Sequence, residues 1–238
     1  MKNPNIKFGF IFNTLVNSLI IVITLLIIVL INLNVIEKTN LKQEEAALRN
    51  DYDFLIKTQV ESVISILDFY NTRVLSGELG AETAKKEAAN IIRELRFGED
   101  GYFWVDESNG ENVVLLGWDT EGTNRLDSLD SNGFGYVRSF ISNGMKPEGG
   151  YTDYYFPEPH HVDLILPKRG YTKYFAPFDW VIGTGNYVYH IDDLLANFAK
   201  EMRANNSDTI VAMAGATLVL LIISMMTSTR LANQRNRE

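Results

Sequence analysis

Two uninterrupted apolar stretches bracket a mixed, patterned middle. The first, FGFIFNTLVNSLIIVITLLIIVLINLNVI, runs from residue 8 to 36, and the second, TIVAMAGATLVLLIISMM, from 209 to 226; neither contains a charged side chain. About 20 apolar residues are enough to carry a helix across a bilayer core. A helix buried in a soluble core would show a polar face over such lengths, and these do not. The first run is also longer than the ~7–15-residue core of a signal peptide and lacks a small-x-small cleavage site after it, so it reads as an uncleaved anchor. Asn13 and Asn17 interrupt its first half, which places them near headgroups or against a partner helix.

Between the runs, the pattern predicts a helix first. No Pro or Gly occurs from Glu37 to Ser76, and Ile56, Val60, Val63, Leu67, Tyr70 and Val74 follow at alternating steps of four and three, a heptad seam. Leu41, Leu48 and Leu55 form a second seven-residue series out of phase with it. Such a helix lies on its own domain or forms a dimer coiled coil near the membrane, and both can hold in different parts of it. Gly77 and Gly80 break the helix, and a second follows over 81–96.

The period then shortens. The segments 101–108, 112–119, 149–158, 170–178 and 180–188 are aromatic and β-branched and read as strands, parted by turn signals at 108–110, 147–150 and Pro-Lys-Arg-Gly 167–170. A short helix fits 132–144, and a last helix starts at His190 and enters the second apolar run. Strands joined by tight turns favour an antiparallel sheet, so the middle is α+β with a long N-terminal helix. Alternation puts Tyr102 and Trp104 on one face of the first strand and Phe103 and Val105 on the other; Tyr171, Lys173 and Phe175 share a face in the same way.

Charge orients this plan. Lys2 and Lys7 precede the first run, and Arg230, Arg235 and Arg237 follow the second, so both ends are expected in the cytoplasm. Residues 1–7 and 227–238 are then the cytoplasmic ends, 8–36 and 209–226 the spans, and 37–208 one extracytoplasmic domain. That domain carries 17 Lys and Arg against 29 Asp and Glu. The acidic balance argues against nucleic acid as a partner. The sequence has no cysteine, which removes disulfides and thiolate metal sites.

With those elements in order, particular blocks become informative. RFGEDGYFWVDE, DTEGTNRLDSLDSNGFGYVRSFI, PEGGYTDYYFPE, PKRGYTKYFAPFDWVIGTGNYV and HIDD together resemble the single Cache domain of the second subtype. This is an extracytoplasmic, PAS-like sensor family of bacterial chemoreceptors, sensor histidine kinases and cyclic-di-GMP enzymes. The resemblance covers about residues 37–195. Where many members carry a His-Pro pair on the second strand, this chain has LLGWDTEG. The resemblance implies a small organic acid or similar metabolite as ligand, and a change passed from the last strand into the second span. The chain continues 12 residues past Met226 without a kinase, methyl-accepting or cyclase module there. It is therefore either part of a longer transducer or a stand-alone anchored sensor.

The residues expected to line a ligand pocket are Trp104, Trp118, Tyr151, Tyr155 and Lys173, with Arg96 or Arg125 as an alternative partner for an anion. Gly183 and Gly185, in WVIGTGNYV, suit a close backbone approach. His160-His161 point apart in an extended segment and read as surface loop rather than metal ligands. Asp127, Asp130 and Asn132 miss the spacing of a calcium loop and read as a turn into a helix cap. No cofactor, metal or catalytic residue is expected, because nucleophile-elbow and H-E-x-x-H patterns are missing from the sequence. A homodimer through the long helix and the spans is expected. The rival to a ligand sensor is an anchored module that presents its acidic surface to another envelope protein.

Overall fold

The computed structural model describes residues 4–98, 100–158 and 161–234; Lys2, His160, Arg235 and Arg237 lie outside them. The order is helix α1 (Pro4–Leu75), helix α2 (Ala81–Glu94), strands β1 (Phe103–Glu107) and β2 (Asn112–Leu115), helix α3 (Tyr136–Gly144), strands β3 (Gly150–Glu158), β4 (His161–Phe175) and β5 (Trp180–Tyr187), and helix α4 (Tyr189–Gln234). The chain forms two compact units. One holds α1 up to Glu45 and α4 from Leu194, and the other is Ala46–Asp193.

In the first unit both helices contain windows long and apolar enough to cross a membrane, with none of either window buried in the protein. Ser18 and Ser224 share a hydrogen bond at 3.0 Å, and Arg203 Nε donates to Glu37 Oε1 at 2.9 Å.

The second unit is built on one five-stranded sheet ordered β2-β1-β5-β4-β3, every neighbouring pair antiparallel. The heptad seam Ile56, Val60, Val63, Leu67 and Tyr70 of α1 is buried, together with Ala84, Ala88, Ala89 and Ile92 of α2. These residues pack on Phe103, Val105, Tyr171, Trp180 and Ile182 from one sheet face. The opposite face carries Tyr102, Trp104, Leu115, Tyr154 and Phe156, against which α3 lays Phe140. Alternation thus divides the aromatic strands into a helix-packed face and a face toward α3.

One element departs from the sequence-based expectation. The Pro-Lys-Arg-Gly segment is not a turn, because β4 runs through it from His161 to Phe175. Pro167 pairs with Tyr155 of β3, while the ladder to β5 begins only at Lys168–Tyr187. The missing proline N–H therefore falls just past the end of that ladder, where the Val188 N–H still donates to the Pro167 carbonyl at 2.9 Å, so proline sits at the margin of the pairing, a place a strand tolerates it. The β3–β4 hairpin extends beyond the rest of the sheet, leaving Leu164 and Ile165 exposed.

Candidate functional site

The sheet face toward α3 contains a buried cation. Lys168 alternates with Arg169 along β4 and points into this face, opposite Tyr154 on β3 and Tyr187 on β5. It is 1% exposed. Its ammonium donates a hydrogen bond to the Tyr102 hydroxyl at 2.7 Å. The ring centroids of Tyr102, Tyr187, Phe156 and Trp104 lie 4.1, 4.6, 5.5 and 5.8 Å from it. Aromatic faces attract a cation, but they do not replace the water it has lost.

Burial accordingly pulls the Lys168 pKa down from its ordinary 10.5 to about 7, against the upward pull of Glu158. Burial also holds the Tyr102 and Tyr154 phenols well above their ordinary range, so the oxygen that meets the ammonium is a neutral hydroxyl. A second donor is orphaned nearby, since Trp104 Nε1 is buried without a hydrogen-bond partner among the described residues. A half-ionised ammonium and an unused indole N–H in one aromatic box form a site short of acceptors.

Trp104 is seated by Gly183. A Cβ built there would come within 2.3 Å of the indole Cε2, far inside contact distance. Gly183→Ala is expected to destabilise the protein by about 3 kcal/mol through overpacking, read as a lower urea midpoint with an unchanged m-value.

The loop between β2 and α3 closes over this face and is tied at three points. Glu121 Oε1 accepts the N–H groups of Leu115 and Gly117 at 2.6 and 2.8 Å, and Glu121 Oε2 accepts from Arg93 of α2 at 2.8 Å. Arg125 forks onto Asp106 of β1 with two 2.6 Å bonds, and both side chains are buried. Asp130 accepts the N–H of Asn132 and Phe134 with one oxygen and that of Tyr155 on β3 with the other. Slight burial pushes the Asp130 pKa up, but these three N–H bonds outweigh it and hold the carboxylate below its usual range. A turn held by its own carboxylate is thus the role of this segment, and among the described residues no cluster of three His, Cys, Asp or Glu could hold a metal.

Under the loop lies a cavity of about 310 Å³, lined among others by Trp118, Arg125, Leu129, Tyr136, Phe156 and Ile165. Trp118 stacks on Phe156 at 6.0 Å, the same ring that walls the lysine box. A second cavity of about 350 Å³ counts Lys168 among its lining residues, together with Arg49 of α1, Asp130, Asp153, Tyr155, Pro167 and Val188.

The structure separates the residues nominated from sequence. Trp104 stands in the box, while Trp118, Arg125 and Tyr155 surround the cavities. Tyr151 and Lys173 lie on the opposite face, where Tyr151 donates to the Asp53 carbonyl at 3.1 Å and Lys173 stands 3.9 Å from Glu61 of α1. Arg96 is exposed and folds its guanidinium back onto the carbonyls of Arg93 and Leu95. Lys168, Tyr102, Phe156 and Tyr187 were not nominated. Counting back in steps of two from Thr172, which is buried toward α3 and donates to the Phe140 carbonyl, reaches Lys168.

A five-stranded antiparallel sheet backed by a long N-terminal helix, with a half-open cavity under the β2–α3 loop, has the make-up of a small-molecule-binding domain. The pattern of the family Single Cache domain 2 matches residues 48–202, and the chain belongs to that family. It is 25% identical over 174 residues to the methyl-accepting chemotaxis protein McpP of Pseudomonas putida, covering 73% of this chain and 30% of that protein. It is 33% identical over 149 residues to the sensor histidine kinase MctS of Rhizobium johnstonii, covering 60% of this chain and 31% of that protein. The chain therefore spans about a third of the length of these relatives. Among solved structures, a Cache chemosensory domain described for carboxylic acid recognition superposes with a TM-score of 0.57 at 24% identity, covering 60% of this chain and 97% of that one. That likeness establishes the fold.

Proposed function

We propose that residues 37–208 form an extracytoplasmic sensor domain, held between two membrane spans, that binds a small carboxylate through Lys168 and passes a conformational change into α4. The single observation that carries the ligand class is the buried ammonium whose hydrogen bond goes to a neutral phenol rather than to a carboxylate. An entering carboxylate would supply the anionic acceptor that both the Lys168 ammonium and the Trp104 indole N–H need. The aromatic walls suit a small apolar body behind that head group. Arg125 is committed to Asp106 and acts as frame for the cavity, as do Trp118 and Tyr155.

The route out is short. Tyr187 walls the box and closes β5, and α4 begins two residues later at Tyr189. A ligand with different affinities for two packings of the box would bias that helix. Family membership supports the sensor role, and the basic ends support a cytoplasmic location for both termini. The second apolar series on α1 favours a homodimer. Read this way, the domain is a receptor rather than an enzyme, and its output lies with whatever cytoplasmic module it serves.

Calorimetric titration of the protein with acetate, propionate, lactate and succinate tests this reading. Binding by one class is expected, with a pH signature. Carboxylate binding requires Lys168 protonated, so affinity should be flat from pH 5 to about 7. Above that it should fall by about tenfold per pH unit, with proton uptake on binding. A pH-independent affinity across 7 to 9, or no binding at all, overturns the assignment of Lys168 as the anchor.

A further inference from the structure

The ligand box and the long helix meet at consecutive residues of one strand. Lys168 points to the α3 side, and Arg169, the next residue, points to the helix side. Arg169 Nε and Nη2 donate to Asp53 of α1 at 2.6 and 2.9 Å, while Nη1 donates to both oxygens of Asp153 on β3 at 3.0 and 2.8 Å. The guanidinium carbon stands 4.8 Å over the Tyr151 ring, and the Tyr151 hydroxyl donates to the Asp53 carbonyl. One planar group therefore ties β4, β3 and α1 together.

We infer that Arg169 is a positioning residue that couples occupancy of the Lys168 site to α1, a second route out of the domain beside the direct β5–α4 connection. This rests on the carboxylate reading of Lys168 given above. Most of the contact between α1 and the sheet is an apolar seam, and apolar burial is non-directional, so it permits small sliding. The Lys173–Glu61 pair, at 3.9 Å, is too long for a hydrogen bond. A forked arginine–carboxylate pair, by contrast, fixes direction and distance. Ligand contact at Lys168 displaces or twists the backbone of β4, and residue 169 shares that backbone. The fork then carries the movement to Asp53. The pair is sheltered, with Arg169 29% and Asp53 21% exposed, so it keeps its geometry in water better than a surface pair.

The chain has no cysteine, so label pairs can be placed without removing native thiols. Phe54→Cys on α1 and Ser142→Cys on α3, both exposed, report on α1; Ser142→Cys with Asp193→Cys reports on α4. Distances between spin labels are measured in the full chain in lipid nanodiscs, with and without saturating acetate, propionate, lactate or succinate. Binding is followed in parallel by calorimetry. The wild-type background should show a shift of about 1–2 Å in both pairs. Arg169→Gln should bind the same carboxylate within about threefold and keep the α4 shift, but lose the α1 shift. Asp53→Asn, which leaves Arg169 paired with Asp153, should do the same and serves if Arg169→Gln fails to fold.

An α1 shift that survives in both variants overturns the coupling. So does a wild-type protein that binds with α1 unmoved, or an α1 response lost only in step with binding. Failure of the wild-type protein to bind any of the four acids overturns the carboxylate reading itself, and the coupling with it.

Discussion

Replacing Lys168 with Met removes carboxylate binding and, in the same protein, raises the stability of the unliganded state. The two effects have one cause. The ammonium is buried among four aromatic rings and hydrogen-bonded to the neutral Tyr102 hydroxyl, so the folded protein holds a cation that water would solvate better. Met keeps the length and most of the volume of the side chain without the charge. Exchanging a poorly compensated buried charge for an apolar isostere is expected to stabilise by about 1–4 kcal/mol. The same change takes away the one cation in the box, and affinity for the carboxylate should fall by about a hundredfold or more.

The pH profile separates this account from simple repacking. The folded-state pKa of Lys168, about 7, lies below its ordinary 10.5. Between these values the unfolded chain holds a proton that the folded chain has released, so stability rises with pH across that window. From pH 7 to 10 the gain is on the order of 4 kcal/mol. The rise should be visible in urea midpoints of the wild-type protein and absent from Lys168→Met. Above pH 10 the raised Tyr102, Tyr154 and Tyr187 phenols act the other way, so the window of 7 to 10 is the one to measure. A variant that loses binding but is less stable at pH 7, with the pH slope intact, would show that Lys168 is merely a well-satisfied core residue.

How much of this was legible before the structure depends on which property carries each element. The two apolar runs, the seam on α1 and the alternation of Tyr102–Trp104 against Phe103–Val105 are periodic features that depend only on the local chain. All of them sit where periodicity puts them. The first half of β4 was hidden because Pro167 and Gly170 are turn residues in most settings, and only the sheet order shows that Pro167 lies beyond the end of β5. The proposed anchor lies inside that segment. Lys173 shares a face with Tyr171 and Phe175, as alternation requires, but that face meets α1; Lys168 was inside the supposed turn. Nothing local marks a lysine as buried, since lysines are exposed by default, and its burial follows from Tyr102 just before β1, Phe156 on β3 and Tyr187 on β5, which the sheet brings together. Arg125 was nominated as an anion partner from its charge alone, whereas its acceptor, Asp106, is 19 residues away in sequence and lies at the irregularity between Val105 and Asp106 in the β1–β2 ladder.

Breaking that last pair should have the largest effect on folding. Asp106 is completely buried and accepts Arg125 Nε and Nη2 at 2.6 Å each and Asn112 Nδ2 at 3.0 Å. Arg125 is 6% exposed and cannot reach water when its partner is lost. Burial alone would lower its pKa, but Asp106 outweighs this and raises it, so the guanidinium stays charged at any accessible pH. Asp106→Ala therefore leaves a charged fork in an apolar pocket, and a loss of about 3–5 kcal/mol is expected. The double variant Asp106→Ala/Arg125→Met removes the stranded charge and should recover most of that loss, giving a coupling energy of at least ~2 kcal/mol in a double-mutant cycle of urea midpoints. The loop that roofs the 310 Å³ cavity is held by this pair and by Asp130. The double variant should thus fold while its loop loosens, seen as faster amide exchange at the backbone N–H of position 125, which in the wild-type protein donates to the Gly110 carbonyl. Single and double variants of equal stability would mean that the pair contributes packing alone, and that the roof of the cavity is held by its apolar residues.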